Sequence, residues 1–532
     1  MSLLIILVTA AVYYLRYKCL LSKALPCCGN NMKRLSKHLL MTMVLLVPCI
    51  LVSAAEQNLV RLVEKQQLDQ ALALIETGVD VNQPSADGTT ALQWAAYYGD
   101  LELARRLVRA EANPNTSNDY GSSPLSEAAA KGDLEMIALL LDAGADAESV
   151  NPEGQTALMA VARTGNIEAA KLLLDHGADV NAVEGWGGQS ALHWAAARKH
   201  PAMVEFLVSN GADANLRGID RNWERRVTSE PRVKDMKIGG LTPLLYGVRE
   251  NCIECVNALL DAGADINKPD PDNVSPLILA LVNMRYDMAL NLIDRGADIN
   301  QWDFFGRTPL YVAVDTHLLP GRSRRGDLPA VESHTALEVA RVLLEKGANP
   351  NLSVKIFPPV REIAYDRAND YNVMNAGATP IQHAAYMGDT EMMKLLLEFN
   401  ADWTQANVHG VSPMIALTSK STNENTRSSG KTEVDVMQGL DILIGAGADI
   451  NQKGGRNGET PLHISARMNW QTVVTFLAEN GADLYAEDDR GLIPLDYSTG
   501  KADTMSLGSF DVVGELPEMA ALLEKLMADN PE

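Results

Sequence analysis

The chain has 532 residues, 46% of them hydrophobic, and a formal net charge of −22. That length is too great for one compact core and implies several domains or one extended array. The acidity argues against nucleic acid as a partner, because such a surface repels a phosphate backbone.

Residues 32–55, "MKRLSKHLLMTMVLLVPCILVSAA", place Lys33, Arg34 and Lys37 ahead of an apolar run that ends in Ser53, Ala54 and Ala55. Basic, then apolar, then small is the order of a secretory signal peptide. The segment is therefore expected to be a leader, and the chain to be exported to the periplasm or cell surface. Residues 1–31 carry a second apolar run, "LLIILVTAAVYYL" (3–15), which is short for a membrane span. Two readings fit: Met32 is the true start and 1–31 a mis-assigned upstream extension, or 1–55 is retained as a membrane anchor. Without residues 1–55 the chain keeps 40 basic and 68 acidic residues, a net charge of −28. Of six cysteines it then keeps Cys252 and Cys255, which is no disulfide framework.

From residue 56 onward the sequence repeats itself. Aligning "TAL", "SPL" and "TPL" gives anchors at Leu92, Leu125, Leu158, Leu192, Leu244, Leu277, Leu310, Ile381, Met414, Leu462 and Leu495. Most steps are 33 or 34 residues, and the three longer ones read as repeats carrying insertions. Each unit closes alike, as in "DHGADVNA" and "DAGADINK". Between anchor and ending lie two short amphipathic helices. In 156–181, Thr156 is placed to cap a helix beginning at Ala157, Gly165 breaks the chain, and Ile167, Ala170, Leu172, Leu173 and Leu174 form the apolar side of a second helix. Elsewhere proline opens the first helix (Pro124, Pro243, Pro276, Pro309, Pro380, Pro413, Pro461), where its missing N–H costs nothing. Such a pair cannot bury its apolar faces alone, but stacked neighbours can.

"SALHWAA" (190–196), "TPLHISA" (460–466) and the repeated "GAD-x-N" resemble ankyrin repeats over residues 56–530. The overall pattern is also similar to exported bacterial ankyrin-repeat proteins. The resemblance implies an all-α solenoid of about twelve helix-turn-helix units with finger loops. Residues 56–87 form an N-terminal capping repeat, 88–490 the ankyrin array, and 491–532 a C-terminal cap ending in an amphipathic helix over 516–527. The helix-opening His survives at His193 and His463, while Gln93, Met159, Leu245 and Tyr311 replace it elsewhere.

Four inserted stretches interrupt the period. The first, 217–239, is locally basic with seven Lys/Arg against four acids, and sets Trp223 among Arg221, Arg225 and Arg226. Residues 318–334 separate the helices of one repeat and 352–376 lengthen its finger. The fourth, 419–436, is polar, as expected of a surface loop.

A search for chemistry finds no HExxH, no phosphate loop and no paired histidines. "EGWGGQS" (184–190) is glycine-rich but is one repeat's finger. "CIEC" (252–255) cannot complete a four-ligand zinc site. Its thiols either pack in the core, join as a local disulfide in an oxidising compartment, or act in redox chemistry. No enzyme, metal or cofactor is expected.

The ankyrin resemblance implies partner binding on the concave face, formed by finger loops and first helices. By register the exposed positions there are Tyr97, Tyr98, Tyr120, Arg163, Trp186, Arg249, Trp302, Phe304, Phe305, Tyr386 and Met387, rich in the types that dominate hot spots. "QWDFFGRTPL" (301–310) is densest in rings and is the expected centre. The leading expectation is a monomeric, non-enzymatic scaffold with a protein partner, no nucleic acid, and membrane association only if the leader is retained. An accessory or regulatory subunit of an exported redox or hydrolytic enzyme is the second reading, and a membrane-tethered structural protein the third.

Overall fold

The computed structural model describes residues 58–151, 153–222, 237–318, 332–356, 376–419, 431–455, 457–502 and 515–530. The leader, Trp223, Arg225 and Arg226, and most of each insertion lie outside the described residues. The chain divides into two compact units. The first is Met1–Ala128 with Asp133–Pro152; the second is Ala129–Gly132 with Glu153–Glu532.

The helices among the described residues fall into twelve successive pairs. They are α1 (Leu59–Glu64) and α2 (Leu68–Glu76), α3 (Ala91–Tyr98) and α4 (Leu101–Arg109), α5 (Pro124–Lys131) and α6 (Leu134–Asp142). Next come α7 (Ala157–Thr164) and α8 (Ile167–Asp175), α9 (Ala191–Ala197) and α10 (Pro201–Ser209), α11 (Pro243–Arg249) and α12 (Ile253–Asp261). They continue as α13 (Pro276–Val282) and α14 (Tyr286–Asp294), α15 (Pro309–His317) and α16 (Ala336–Glu345), α17 (Pro380–Met387) and α18 (Thr390–Glu398). The last are α19 (Pro413–Thr418) and α20 (Glu433–Gly445), α21 (Pro461–Arg467) and α22 (Gln471–Glu479), α23 (Pro494–Ser498) and α24 (Pro517–Asp529). The C-terminal helix thus extends past the expected 516–527.

Local chemistry sets these boundaries. Thr156 Oγ1 accepts from the N–H of Met159 at 3.4 Å, satisfying one of the donors a helix start leaves open. Gly165 ends α7 with a φ of 78°, where any other residue would be strained. First helices bury their Leu and the two small residues a turn later, such as Leu92, Ala95 and Ala96, and second helices add Leu103, Ala104 and Leu107. The small residues let neighbouring helices approach closely enough for the leucines to interdigitate.

The "GAD-x-N" ending is an inter-repeat clamp. Asn82 Oδ1 accepts from the N–H of Asn113 at 2.7 Å, and its Nδ2 donates to the Glu111 carbonyl at 3.0 Å. Asn181 does the same to Asp213 and Gly211, and Asn215 to Asp265 and Gly263. Each asparagine therefore supplies both a donor and an acceptor to the next repeat's helix end, whose backbone groups would otherwise go unpaired.

The insertions depart from the expected loops in two ways. Residues Asp220–Asn222 and Lys237–Gly239 pair as an antiparallel two-stranded ribbon, so the basic insertion begins and ends as a structured finger. After the insertions ending near 334 and 436, the second helix restarts on its own capping box. Thr335 pairs with Glu338 and Thr432 with Asp435, which places 433–436 in α20 rather than in a loop.

Candidate protein-binding surface

Three of the described fingers show how a turn is pinned from inside by one side chain. Asn118 Oδ1 accepts from the N–H groups of Tyr120 and Ser122 at 3.1 and 2.9 Å. Asp303 Oδ1 accepts from those of Phe305 and Arg307 at 3.0 and 2.9 Å. Glu184, buried, takes the N–H of Trp186 at 2.6 Å, Gly187 at 2.7 Å and Gln189 at 3.0 Å. Consuming the turn's donors inside leaves the residue at the tip pointing outward. Trp186 is accordingly 75% exposed and Tyr120 67% exposed.

In the first unit, Tyr97 and Tyr98 are exposed on α3 and gather with Trp94. Trp94 meets Tyr97 edge-on and stacks on Tyr98, with centroids 5.5 Å apart in both pairs. Tyr98 is tethered by its hydroxyl, which donates to the Glu64 carbonyl at 3.0 Å.

In the second unit, rings are paired with cations, from the exposed Trp186 through the half-buried Trp194 to the buried Tyr246. The Arg221 guanidinium lies 4.4 Å from the Trp186 ring centre, Arg163 lies 5.1 Å from Trp194, and Arg249 lies 4.6 Å from Tyr246. Gln189 joins finger to helix by donating to the Tyr246 hydroxyl at 2.6 Å, and burial pushes that phenol above its ordinary value. Trp194 and Tyr246 were not among the expected positions. Both stand two residues after the anchor leucine of the first helix, as Trp94 does, and a scan of that register would have found them.

The 301–310 finger is less open than expected. Trp302 is 43% exposed, but Lys355, from the lengthened finger of its own repeat, sets its ammonium 2.9 Å from the ring centre. Phe304 and Phe305 are half-buried and meet edge to face at 5.4 Å. Arg307, buried, donates to Asp303 Oδ2 at 2.8 Å and covers Phe305. Gly306 has a φ of 84°, and a Cβ there would sit 2.6 Å from the Lys355 backbone nitrogen.

Tyr386 corrects the expectation outright. It is 5% exposed and belongs to an apolar cluster with Tyr311, Val354, Val411, Ile415 and Ile464, against which Met387 also packs. Lys431 closes over it, its ammonium donating to the Tyr386 carbonyl at 3.0 Å. Bulky neighbours fill the space that the register alone leaves open.

Cys252 and Cys255 are joined as a disulfide at the start of α12. Packing and cross-linking are therefore not alternatives, since both residues are also buried. The buried His193 is held on both ring nitrogens: Nδ1 lies 3.0 Å from Ser190 Oγ and Nε2 3.2 Å from the Leu241 carbonyl, and burial lowers its pKa to about 4. Among the described residues no cluster of His, Cys, Asp and Glu could hold a metal ion, and no helix is long and apolar enough to cross a membrane.

Comparison with known proteins finds repeats in five stretches of the chain. Residues 59–151, 125–218 and 228–303 match the family model "Ankyrin repeats (3 copies)", 328–397 match "Ankyrin repeats (many copies)", and 457–489 match "Ankyrin repeat". The chain is 25% identical to human transient receptor potential cation channel subfamily A member 1 over 345 residues, covering 56% of this chain and 28% of that protein. It is 34% identical to human B-cell lymphoma 3 protein over 134 residues, covering 25% of this chain and 26% of that one. It is 36% identical to mouse ankyrin repeat and SOCS box protein 6 over 95 residues, 18% of each. The chain thus spans under a third of the length of these relatives. Among solved structures, the human ASB11 ankyrin repeat domain covers 45% of this chain and 98% of that domain, at 22% identity and a TM-score of 0.37. The chain belongs to the ankyrin-repeat family, whose repeats are in general protein–protein interaction modules.

Proposed function

We propose that this chain is a non-enzymatic scaffold that binds a protein partner on its finger loops and first helices. The observation that carries the reading is the recurrence of exposed aromatic and arginine side chains at those two positions, while the second helices and clamps are given over to packing. Rigid rings lose little side-chain entropy on binding and bury large areas, which is why they dominate interface energetics. Tips such as Tyr120 and Trp186 are held by hydrogen bonds inside the turn, so a partner meets a preorganised surface.

Affinity capture on the purified chain, followed by alanine replacement of Tyr120, Trp186 and Trp302, tests this. A captured partner whose affinity falls about tenfold or more with at least one replacement fits hot-spot behaviour. Absence of any protein partner, or a partner indifferent to all three, sinks the reading. We also infer export, which the leader-like 32–55 and the Cys252–Cys255 disulfide support. N-terminal sequencing of the native protein tests it: retained residues 1–55 would count against cleavage.

A further inference from the structure

In the second unit, Trp186 and the arginines Arg163, Arg221 and Arg249 are exposed, with Trp194 half-buried beside Arg163 and Tyr246 buried beneath Arg249. Arg221 covers Trp186 at the tip, and Gln189 of the same finger reaches Tyr246 at 2.6 Å. Tyr246 meets the buried His193 edge-on at 5.8 Å and carries Arg249 over its own face. Next to His193 on α9, Trp194 carries Arg163 from α7.

A guanidinium stacked on a ring uses its flat face. Its in-plane N–H groups stay directed away from the ring, in the fork geometry that matches a carboxylate. The ring also holds the arginine in place, so less side-chain freedom is lost when an anion binds. Arg249 spends its Nε on Glu250 at 3.0 Å, which leaves its two terminal nitrogens for an anion. Three such pairs set arginines against the acidic background of a chain of net charge −22. That contrast selects the size of the anion. Screening confines a local field to roughly 8–10 Å at physiological salt, so a short acidic segment lying on the patch feels the arginines. A nucleic acid extends past the patch and meets the repulsive remainder.

We propose that this patch docks an acidic, extended peptide segment of a partner protein, with carboxylates on Arg163, Arg221 and Arg249 and an apolar side chain against Trp194. The proposal rests on the scaffold reading and names the chemistry of what is bound. Neighbouring helices pack about 8–10 Å apart. Arg163 on α7 and Arg249 on α11 have α9 between them, a span of roughly 16–20 Å. An extended chain rises about 3.3 Å per residue, so two carboxylates five or six residues apart cover it.

Panning short random peptides on phage against the purified full chain, then titrating the enriched peptide by fluorescence anisotropy, tests the proposal. The expected winners carry Asp or Glu at that spacing around an aromatic or aliphatic residue, and bind less tightly between ~50 and ~500 mM salt. The paired change Arg163→Glu and Arg249→Glu should weaken them about tenfold or more, and the paired change to Lys by a smaller factor, because lysine keeps charge but loses the fork. A peptide with its acids replaced by lysine should recover binding to the Glu variant and not to the native chain. Circular dichroism melts of the variants verify that these exposed changes leave the fold intact. Neutral or basic winners, an affinity indifferent to Arg163 and Arg249, or a labelled single-stranded oligonucleotide that binds more tightly than the peptide would each overturn it. Peptides lost instead with Tyr97→Ala or Tyr120→Ala would overturn this patch while leaving the scaffold reading standing.

Discussion

Two stretches of nearly the same sequence meet opposite fates. "ALQWAAYYGD" (91–100) and "PIQHAAYMGD" (380–389) share the repeat register, so Tyr97 and Tyr386 occupy one position on their first helices. Tyr97 is 48% exposed beside Trp94, whereas Tyr386 is 5% exposed in an apolar cluster. The difference lies in the following repeat. Ile415 presses into the Tyr386 cluster, whereas the matching place after Tyr97 is the small, polar Ser126, whose hydroxyl is engaged with its own helix start. Register fixes where a side chain leaves the backbone; the residue one repeat along decides whether water reaches it.

Breaking that contrast should produce the largest effect. Tyr386→Ala leaves a cavity among Tyr311, Val411 and Ile415 and should cost about 3–5 kcal/mol, with Ile415→Ala costing about 2–5. Tyr97→Ala should cost no more than about 1 kcal/mol, as for other partly exposed positions. Urea unfolding of the three variants measures this, and similar losses at Tyr97 and Tyr386 would defeat the comparison. Nitration adds an independent reading: Tyr97, Tyr98 and Tyr120 should react well before Tyr386.

The same contrast marks how far the sequence could be read. Helix pairs, caps and finger positions follow from one-dimensional spacing, so Thr156, Gly165 and the exposed tips Tyr120 and Trp186 were legible. The burial of Tyr386 and the capture of Trp302 by Lys355 depend on pairs far apart in the chain, one of them inside an insertion. The ribbon of Asp220–Asn222 with Lys237–Gly239 was hidden because its segment reads mainly as charge. The restarted helices were legible in principle, since Thr335 with Glu338 and Thr432 with Asp435 follow the capping-box pattern.

A second difference separates the two units and sharpens the comparison by pH. Residues 58–152 contain no histidine, whereas the second unit buries His193, His383 and His463. Burial holds all three imidazoles below their ordinary value of 6.5, His193 at about 4. An unfolded imidazole takes up its proton near 6.5 and the folded His193 resists until about 4. The folded state is therefore at full strength above 6.5 and loses stability as pH falls through that window. Each tenfold weakening of proton binding on folding is worth about 1.4 kcal/mol, so His193 alone accounts for about 3 kcal/mol by pH 4. His317 works the other way: burial would lower it, but the hydrogen bond and charge of Asp389 raise it, so its contribution is kept in acid. Hydrogen exchange across pH 7 to 4 should show the second unit opening progressively while the first holds. His193→Gln should flatten that dependence, and equal acid sensitivity in both units would contradict the assignment.

The smallest effect lies in the clamps of the same two repeats. The repeat of Tyr97 ends in Asn115, which accepts from the N–H of Asp146 at 2.8 Å and donates to the Gly144 carbonyl at 2.9 Å. The repeat of Tyr386 ends in Thr404, whose hydroxyl turns back on Asp402 of its own turn at 2.6 Å. Threonine is one atom too short and lacks the amide's donor–acceptor pair, so it cannot reach the next helix end as asparagine does. Where the ladder resumes, Asn451 again spans to Asp483 and Gly481. Thr404→Asn should therefore add about 0.5–1 kcal/mol by making exposed hydrogen bonds, and Asn451→Thr should remove a similar amount. Urea midpoints of the two variants should move in opposite directions. If both fall, position 404 needs threonine for its local turn, and the tight packing around Tyr386 stands without help from the surface clamp.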